Sequence, residues 1–129
     1  MMTISPREEQ VEALKTRDPG GPINMLNLLK LKEFAEYEDG SEAGFSGRDA
    51  YMRYAAGVAE LIEKIGGEFV FASEANTLVV GEGELQWDMV AIVKYPSVAA
   101  FLEMTDSDEY AAIHVHRDAG LAHQVLVQC

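Results

Sequence analysis

The sequence predicts an α+β fold, and three observations lead to this prediction. Two segments, "INMLNLLKLK" (residues 23–32) and "WDMVAIVKYP" (residues 87–96), are strand-like and apolar on both faces. Other segments place apolar residues at helical spacing and start with clear capping residues. A chain of 129 residues with 48% hydrophobic and 25% charged residues suits one domain with one core. We therefore expect one domain over residues 1–129, of which residues 1–20 form an N-terminal helical extension.

The first predicted element is a helix in "SPREEQVEALKTR" (residues 5–17). Ser5 is the expected N-cap, Pro6 the first helical residue, and Glu8 the capping-box partner. "DPGGP" then breaks the helix. The strand-like residues 23–32 follow, and because both faces are apolar, we expect both faces to be covered.

The segment "EFAEYEDGSEAGFSG" (residues 33–47) is acidic and aperiodic, which predicts a long loop. The next helix is predicted in residues 46–67, with Ser46 as its N-cap and Asp49 in the capping-box position. Its apolar stripe has helical spacing, and Gly66 and Gly67 end it.

The second half predicts two strands, two helices and a final strand. "EFVFASEANTLVVG" (residues 68–81) is strand-like with a kink near residues 74–76, and residues 87–96 form the third strand. "SVAAFLEM" is a short helix capped by Ser97. Asp106 or Ser107 caps the next helix, and "HQVLVQC" is the last strand.

The element order is therefore βαββαβ after an extra N-terminal helix. This order is typical of a ferredoxin-like sandwich, with a four-stranded antiparallel sheet and helices on one face. Helices on one face leave the second apolar face of residues 23–31 and 87–95 uncovered. Since closed two-fold homodimers are the commonest oligomers, we expect a second copy of the chain to cover it, as in a dimeric α/β barrel.

Charge and composition limit which classes of partner the protein is expected to bind and in which compartment it is expected to be. Ten Lys and Arg against 22 Asp and Glu give a formal net charge of −12, which opposes nucleic acid and anionic membranes. The only cysteine, Cys129, ends the chain, so no internal disulfide and no cysteine cluster can form. "MMTISPREEQ" has no signal-peptide pattern, and no apolar run is long enough to span a bilayer. We expect a reduced, cytoplasmic protein.

Several motifs resemble those of the DUF1330 family. They are "GPINMLNLLKLK", "SGRDAYMRYAAGV", "WDMVAIVKYPSVAAFLEMTDSDEYAAI" and the Arg117 that follows, within about residues 21–127. The resemblance implies a dimeric α/β barrel. That superfamily includes cofactor-independent monooxygenases, lactone isomerases, haem-binding members and members of unknown activity, so the resemblance implies no single reaction.

The predicted helix of residues 107–121 carries the main candidate residues. With about 100° of rotation per residue, Tyr110, His114 and Arg117 form one stripe and His116 points the other way. The two histidines therefore cannot chelate one metal, and we expect no metal site. A second face of small residues leaves open which side looks inward. We favour the inward side with the bulky residues Tyr110, Ile113, His114 and Leu121.

Three residues are the candidate catalytic group. His114 suits acid–base chemistry near neutral pH, and the guanidinium of Arg117 suits a carboxylate. Asp88, if it points inward, would orient His114 or act as a base. The alternative is that His114 is a satisfied core histidine, Arg117 a local ion-pair partner and Asp88 a capping or solvated carboxylate.

Five further residues are candidates for ligand binding. Asn27 lies in the middle of an apolar strand, where a buried amide needs a partner. The aromatic candidates are Tyr51, Tyr54, Trp87 and Tyr110, whose alternative role is core packing. No phosphate-binding loop, nucleophile elbow or HExxH motif is present, and we expect no cofactor.

These residues predict a protein that binds a small organic, acidic ligand in a cavity between sheet and helices. The chemistry would be isomerase-like or monooxygenase-like and independent of a cofactor. The alternative is a non-catalytic dimeric domain in which the same residues serve folding and assembly.

Overall fold

A computed structural model describes residues 3–129. Four helices and four strands follow in the order α1 (Glu8–Thr16), β1 (Ile23–Leu31), α2 (Gly47–Lys64), β2 (Glu68–Glu74), β3 (Met89–Tyr95), α3 (Val98–Thr105), α4 (Asp108–Gly120) and β4 (Leu121–Gln128). After α1 this is the βαββαβ order, with α3 and α4 together in the place of the second helix. Among residues 3–129, no helix has both the length and the apolar character needed to cross a membrane.

The strands form one sheet in the order β2-β3-β1-β4, and every neighbouring pair is antiparallel. In the centre, Met25 of β1 lies opposite Val93 of β3, and Leu29 lies opposite Gln124 of β4. This strand order is that of a ferredoxin-like sheet. The predicted α+β class, the four-stranded antiparallel sheet and the extra N-terminal helix are confirmed.

Serine side chains start three of the helices, as the sequence predicts. The hydroxyls of Ser46, Ser97 and Ser107 each accept a backbone N–H three residues further on, at 3.0, 3.0 and 3.1 Å. Each bond satisfies a donor that the first helical turn leaves without an intrahelical partner.

The predicted start of the first helix is wrong. The N-cap of α1 is Arg7, not Ser5, and the Arg7 N–H donates to the Gln10 side chain at 2.8 Å. Residues 3–5, here named the N-terminal strap, are bonded to β4 instead: the Gln124 N–H donates to the Thr3 carbonyl at 2.8 Å. The strap therefore precedes the helix as a separate non-helical segment.

Three strand boundaries also differ from the predictions. β2 ends at Glu74, β3 begins at Met89 rather than Trp87, and β4 begins at Leu121 directly after α4. Residues 75–88 link β2 to β3, and within them Val79 and Val80 are 86% and 90% exposed. The apolar pattern of this linker resembles a strand, but among the described residues its backbone bonds to the sheet only at its end, where the Asp88 N–H donates to the Leu29 carbonyl at 2.8 Å.

The main core lies between the sheet and the helices. Met25 and Val93 from the sheet pack with Val58 and Ile62 of α2 and Met104 of α3. A second cluster, at the other end of this layer, contains Leu29, Tyr51 and Leu121. These side chains share one face of the sheet because alternate residues of a strand point to the same side.

The opposite face of the sheet is apolar as well, and we name it the open face. Its register pairs are Leu26 with Ile92 and with Val127, and Leu28 with Val90 and with Val125. None of these six residues belongs to the helix-covered clusters. The sequence therefore predicted correctly that both faces of β1 and β3 are apolar, whereas helices cover only one.

Candidate functional site

His114 lies on α4 between two charged side chains. Its Nδ1 is 3.1 Å from Asp118 Oδ2, and its Nε2 is 3.4 Å from Arg117 Nη1. Because a guanidinium only donates, we assign the proton to Nδ1, which donates to Asp118, and leave Nε2 as the acceptor. The His114 side chain is 38% exposed, and its imidazole is a positioned base with the acceptor nitrogen at Nε2.

Arg117 is the most deeply buried charged residue beside this histidine, with 7% exposure. Its Nη1 donates to Asp118 at 3.2 Å, and its Nη2 donates to Gln124 Oε1 at 2.5 Å and to the Ile4 carbonyl of the N-terminal strap. A buried guanidinium needs such partners, because a buried charge without partners is strongly destabilising.

A polar relay continues from Arg117 to the centre of the sheet. Gln124 Nε2 donates to Asn27 Oδ1 at 2.9 Å, and Asn27 Nδ2 donates to the carbonyls of Met25 and Ala91 at 3.2 and 3.3 Å. The predicted need of the Asn27 amide for partners is thereby met inside the protein. Asn27 and Arg117, both predicted site residues, are connected through Gln124.

Three tyrosines lie beside the histidine and form the tyrosine cluster: Tyr51, Tyr54 and Tyr110. The hydroxyls of Tyr54 and Tyr110 are 3.0 Å apart, and the rings of Tyr51 and Tyr54 are 5.3 Å apart. The Tyr110 ring is 5.5 Å from the His114 ring. Tyr110 is buried whereas Val115 is 53% exposed, so the inward side of α4 is the bulky one, as favoured from the sequence.

Burial raises the pKa of two phenols in this cluster. The pKa of Tyr51 rises from its ordinary value near 10 to about 12, although the positive charge of Arg117 opposes the shift. The pKa of Tyr54 is raised further, by burial and then by Tyr110. Both phenols are therefore neutral hydrogen-bonding groups at physiological pH.

The raised pKa of Tyr51 predicts a loss of stability in alkali. The neutral phenol is favoured in the folded state, so its contribution is complete below about pH 10 and is lost as pH rises towards 12. We expect Tyr51→Phe to make the fall of the unfolding free energy between pH 9 and 11 shallower than in wild type. Urea unfolding across this range measures it, and identical slopes would contradict the expectation.

Asp88 has the capping role that the sequence left as its alternative, and Trp87 stacks on a histidine rather than on the tyrosines of the predicted aromatic group. Asp88 Oδ2 accepts the Leu31 N–H at 2.7 Å, so its carboxylate caps the end of β1. The carboxylate bonded to His114 is that of Asp118 instead. The Trp87 ring stacks on His123 at 5.1 Å, and neither Tyr51 nor Tyr54 is its partner.

Three important residues of this site were missed in the sequence: Asp118, Gln124 and Ile4. A signal existed for Asp118, which is four residues after His114 on the same helix face, where side chains meet. Gln124 and Ile4 gave no signal, because their positions depend on the register of β4 and on the course of the strap.

Side chains fill the space where the sequence predicts an open cavity. Ile4 of the strap, Tyr54 and Met89 pack against the cluster of Leu29, Tyr51 and Leu121. An open groove of about 280 Å³ lies elsewhere, between the end of α2 and the α3–α4 junction, and none of the predicted site residues lines it.

His116 belongs to a different cluster on the far side of α4. Its Nδ1 is 2.7 Å from the Tyr37 hydroxyl, which also accepts from Arg53 at 3.3 Å. Arg53 in turn holds Glu42 through two bonds of 2.6 and 2.8 Å. The two histidines of α4 thus have separate partners, as the helical spacing predicts.

Comparison with known proteins identifies the family. The profile of DUF1330, a domain of unknown function, matches residues 41–128. The chain belongs to the DUF1330 family. No curated protein is similar enough in sequence to match the chain.

Two solved structures are similar to this chain over nearly its whole length. RPA0582 of Rhodopseudomonas palustris, a protein of unknown function, is 32% identical, with a TM-score of 0.90 over 100% of this chain and 96% of that chain. The methylated RPA0582 protein is 34% identical, with a TM-score of 0.91 over 99% of this chain and 93% of that chain.

Two more distant structures share the fold of this DUF1330 chain. A dimeric ferredoxin-like protein of unknown function from Bacteroides fragilis is 12% identical, with a TM-score of 0.52 over 84% of this chain and 94% of its own. A dimeric ferredoxin-like protein from Thermobifida fusca is 16% identical, with a TM-score of 0.51 over 86% and 92%. At this identity the likeness shows the fold alone.

Proposed function

We propose that the chain is a homodimeric protein that binds a small organic acid and moves a proton on it through His114, without a cofactor. One observation carries the proposal: Asp118 orients the half-exposed imidazole through Nδ1, and a buried arginine lies beside Nε2. An oriented base next to a fixed positive charge is the arrangement that proton abstraction from a carbon acid requires.

The proposed step needs no co-reactant. Nε2 of His114, which is engaged only by a long contact of 3.4 Å with Arg117 Nη1, exchanges this contact for a proton from a carbon next to a carbonyl. The electron pair left behind is shared with the carbonyl oxygen. Asp118 stabilises the imidazolium, and Arg117 lies where it can stabilise the negative charge. Return of the proton to another atom completes an isomerisation. An oxidation would require dioxygen as a co-reactant, so isomerisation is the simpler form of the proposal.

The open face supports the homodimer in this proposal. Its central residues lie on the two middle strands and are Leu26, Leu28, Val90 and Ile92. If no partner buried these side chains, they would form a large exposed apolar patch that favours association. An isologous contact through this face would cover it in both copies at once. The proteins from Bacteroides fragilis and Thermobifida fusca that share the fold are themselves described as dimeric.

One observation favours a second candidate function, a non-catalytic dimeric domain. The terminal nitrogens of Arg117 donate to Asp118, Gln124 and Ile4 within the same chain. Within residues 3–129, every fully buried polar side-chain atom has a hydrogen-bond partner. In this alternative the polar network only stabilises the layer between sheet and helices.

The proposal is tested with phenylpyruvate, which combines a carboxylate, an apolar ring and exchangeable C–H protons. We expect wild type to accelerate exchange of these protons in D₂O, and His114→Asn to lower this catalysed rate by about 10²–10⁴-fold. His116→Asn, on the same helix but bonded to Tyr37, is the matched control and should retain the rate. Proton NMR measures the exchange.

The stability of the same variants separates the two candidate functions. A catalytic His114 predicts that His114→Asn leaves the unfolding free energy almost unchanged, since functional sites trade stability for activity. A structural His114 predicts a loss of about 1–3 kcal/mol when Asp118 loses its partner. Equal exchange rates in all three proteins, together with such a loss, would favour the non-catalytic domain.

A further inference from the structure

The N-terminal strap places a backbone carbonyl on the one buried guanidinium of the candidate site. Arg117 Nη2 donates to the Ile4 carbonyl. The backbone N–H of Gln124 on β4 donates to the Thr3 carbonyl at 2.8 Å. The Thr3 N–H donates to His123 Nδ1 at 2.8 Å. The consecutive carbonyls of Thr3 and Ile4 thus accept from the Gln124 N–H and from Arg117. We call the group of His114, Arg117 and Asp118 the His114 centre.

The Ile4 side chain accompanies its carbonyl into the same region. It is half-buried and packs against the cluster of Leu29, Tyr51 and Leu121. This is the place between sheet and helices where a ligand next to His114 would need an apolar surface. The strap therefore presents a carbonyl oxygen to the arginine and an apolar group to the layer behind it.

Apart from the contacts of Thr3 and Ile4, the N-terminal segment has few buried contacts with the rest of the molecule. The strap is followed by α1, none of whose residues is buried. Of the α1 side chains, only Leu14 packs against the main core. Segments with few buried contacts and exposed hydrogen bonds open at low free energy, so the strap can leave while the sheet and helices stay folded.

We infer that Ile4 occupies the ligand subsite of the His114 centre, and that an apolar monocarboxylate binds there by displacing the strap. The carboxylate takes the place of the Ile4 carbonyl on Arg117, and the apolar body takes the place of the Ile4 side chain. This inference rests on the proposed function and adds to it the chemical class of the ligand and the group with which it competes.

The exchange favours a carboxylate over the strap carbonyl for electrostatic reasons. A carboxylate on a guanidinium forms a charge-assisted bond, which is stronger than the bond of the neutral Ile4 carbonyl. Displacement of the strap also frees the Gln124 N–H, a second donor for the other carboxylate oxygen. Asp118 stays bonded to Nη1 and keeps His114 oriented.

The experiment uses benzoate as the probe and two variants of the strap. Ile4→Gly removes the apolar side chain that holds the strap in place, whereas Ser5→Gly introduces the same backbone freedom one residue later, at an exposed position. We expect Ile4→Gly to bind benzoate about tenfold more tightly than wild type or Ser5→Gly. Without the Ile4 side chain, a larger fraction of the protein has the strap displaced, so benzoate binds with a higher apparent affinity. Titration followed by NMR measures the affinities.

Two signals of the wild-type protein report displacement directly. Saturating benzoate should shift the Arg117 Nε–H resonance and accelerate hydrogen exchange of the Gln124 amide, whose acceptor is Thr3. If the Arg117 signal shifts and the Gln124 amide stays protected, the strap inference is overturned while ligand binding at Arg117 stands. If neither signal responds in wild type or Ile4→Gly, binding at Arg117 fails as well. Equal affinities of Ile4→Gly and Ser5→Gly also overturn the inference.

Discussion

Val127→Asp is expected to dissociate the proposed homodimer into monomers. Val127 lies on the open face, opposite Leu26, and is 44% exposed in the single chain. A two-fold contact through this face would bury two aspartates, one from each copy, and each would lose hydration without gaining a partner. We expect the dissociation constant to rise at least a hundredfold, a change of about 3 kcal/mol. Light scattering at micromolar concentration measures it.

The neighbouring residue provides a matched control for this substitution. Leu126 precedes Val127 on β4 and is 43% exposed, but it lies on the face of the sheet that carries the helices. Leu126→Asp therefore introduces the same charge at nearly the same exposure on the other face of the sheet and should leave the proposed homodimer intact. If both variants dissociate equally, or if neither does, the open face is not the contact between the copies.

Gly120→Ala is expected to destabilise the fold strongly, because the added methyl group would clash with backbone atoms. A Cβ at Gly120 would lie 2.2 Å from the Gly47 carbonyl oxygen and 2.8 Å from the Tyr51 nitrogen. Both are backbone atoms of α2, which no side-chain rotation can move away. We expect a loss of about 3–5 kcal/mol in the free energy of unfolding, measured by urea denaturation at a fixed protomer concentration.

The loss of stability expected for Gly120→Ala arises from the close backbone contacts at this position. A glycine without such contacts provides the control. Gly21→Ala adds the same methyl group where no atom lies within 4 Å, and it should change the unfolding free energy by less than about 0.5 kcal/mol. Because Gly120 follows Arg117 on α4 and contacts Tyr51, a forced separation of α2 and α4 would also disturb the candidate site. Similar losses in the two variants would show that the close approach of these helices is not what requires Gly120.

The sequence alone determined the order of the elements and the character of their faces. Short-range signals are sufficient for this: serine caps at Ser46, Ser97 and Ser107 mark helix starts, and alternation along β1 shows two apolar faces. Helical periodicity also separated His114 from His116. Where a short-range signal misled, at Ser5, a longer-range contact of the strap with β4 had replaced the local cap.

Only the tertiary structure decided which groups meet around His114. The sequence left open whether Asp88 orients His114 or caps a strand, and the structure shows that Asp88 caps Leu31 whereas Asp118 bonds to the histidine. The helix spacing of four residues could have indicated Asp118, but it could not reject Asp88, whose direction depends on where β1 and β3 end. The connection from Asn27 through Gln124 to Arg117 likewise depends on the register between β1 and β4.

The strap shows the physical reason for this division. Caps and face patterns arise from residues a few positions apart, so the local sequence determines them. The bond between Ile4 and Arg117 joins residues 113 positions apart. It forms because α4 and the edge of β4 bring the Arg117 guanidinium and the Gln124 N–H together beside the cluster of Leu29, Tyr51 and Leu121. Local patterns therefore specify the elements of this protein, whereas the composition of its candidate site follows from how the sheet, α4 and the N-terminal strap come together.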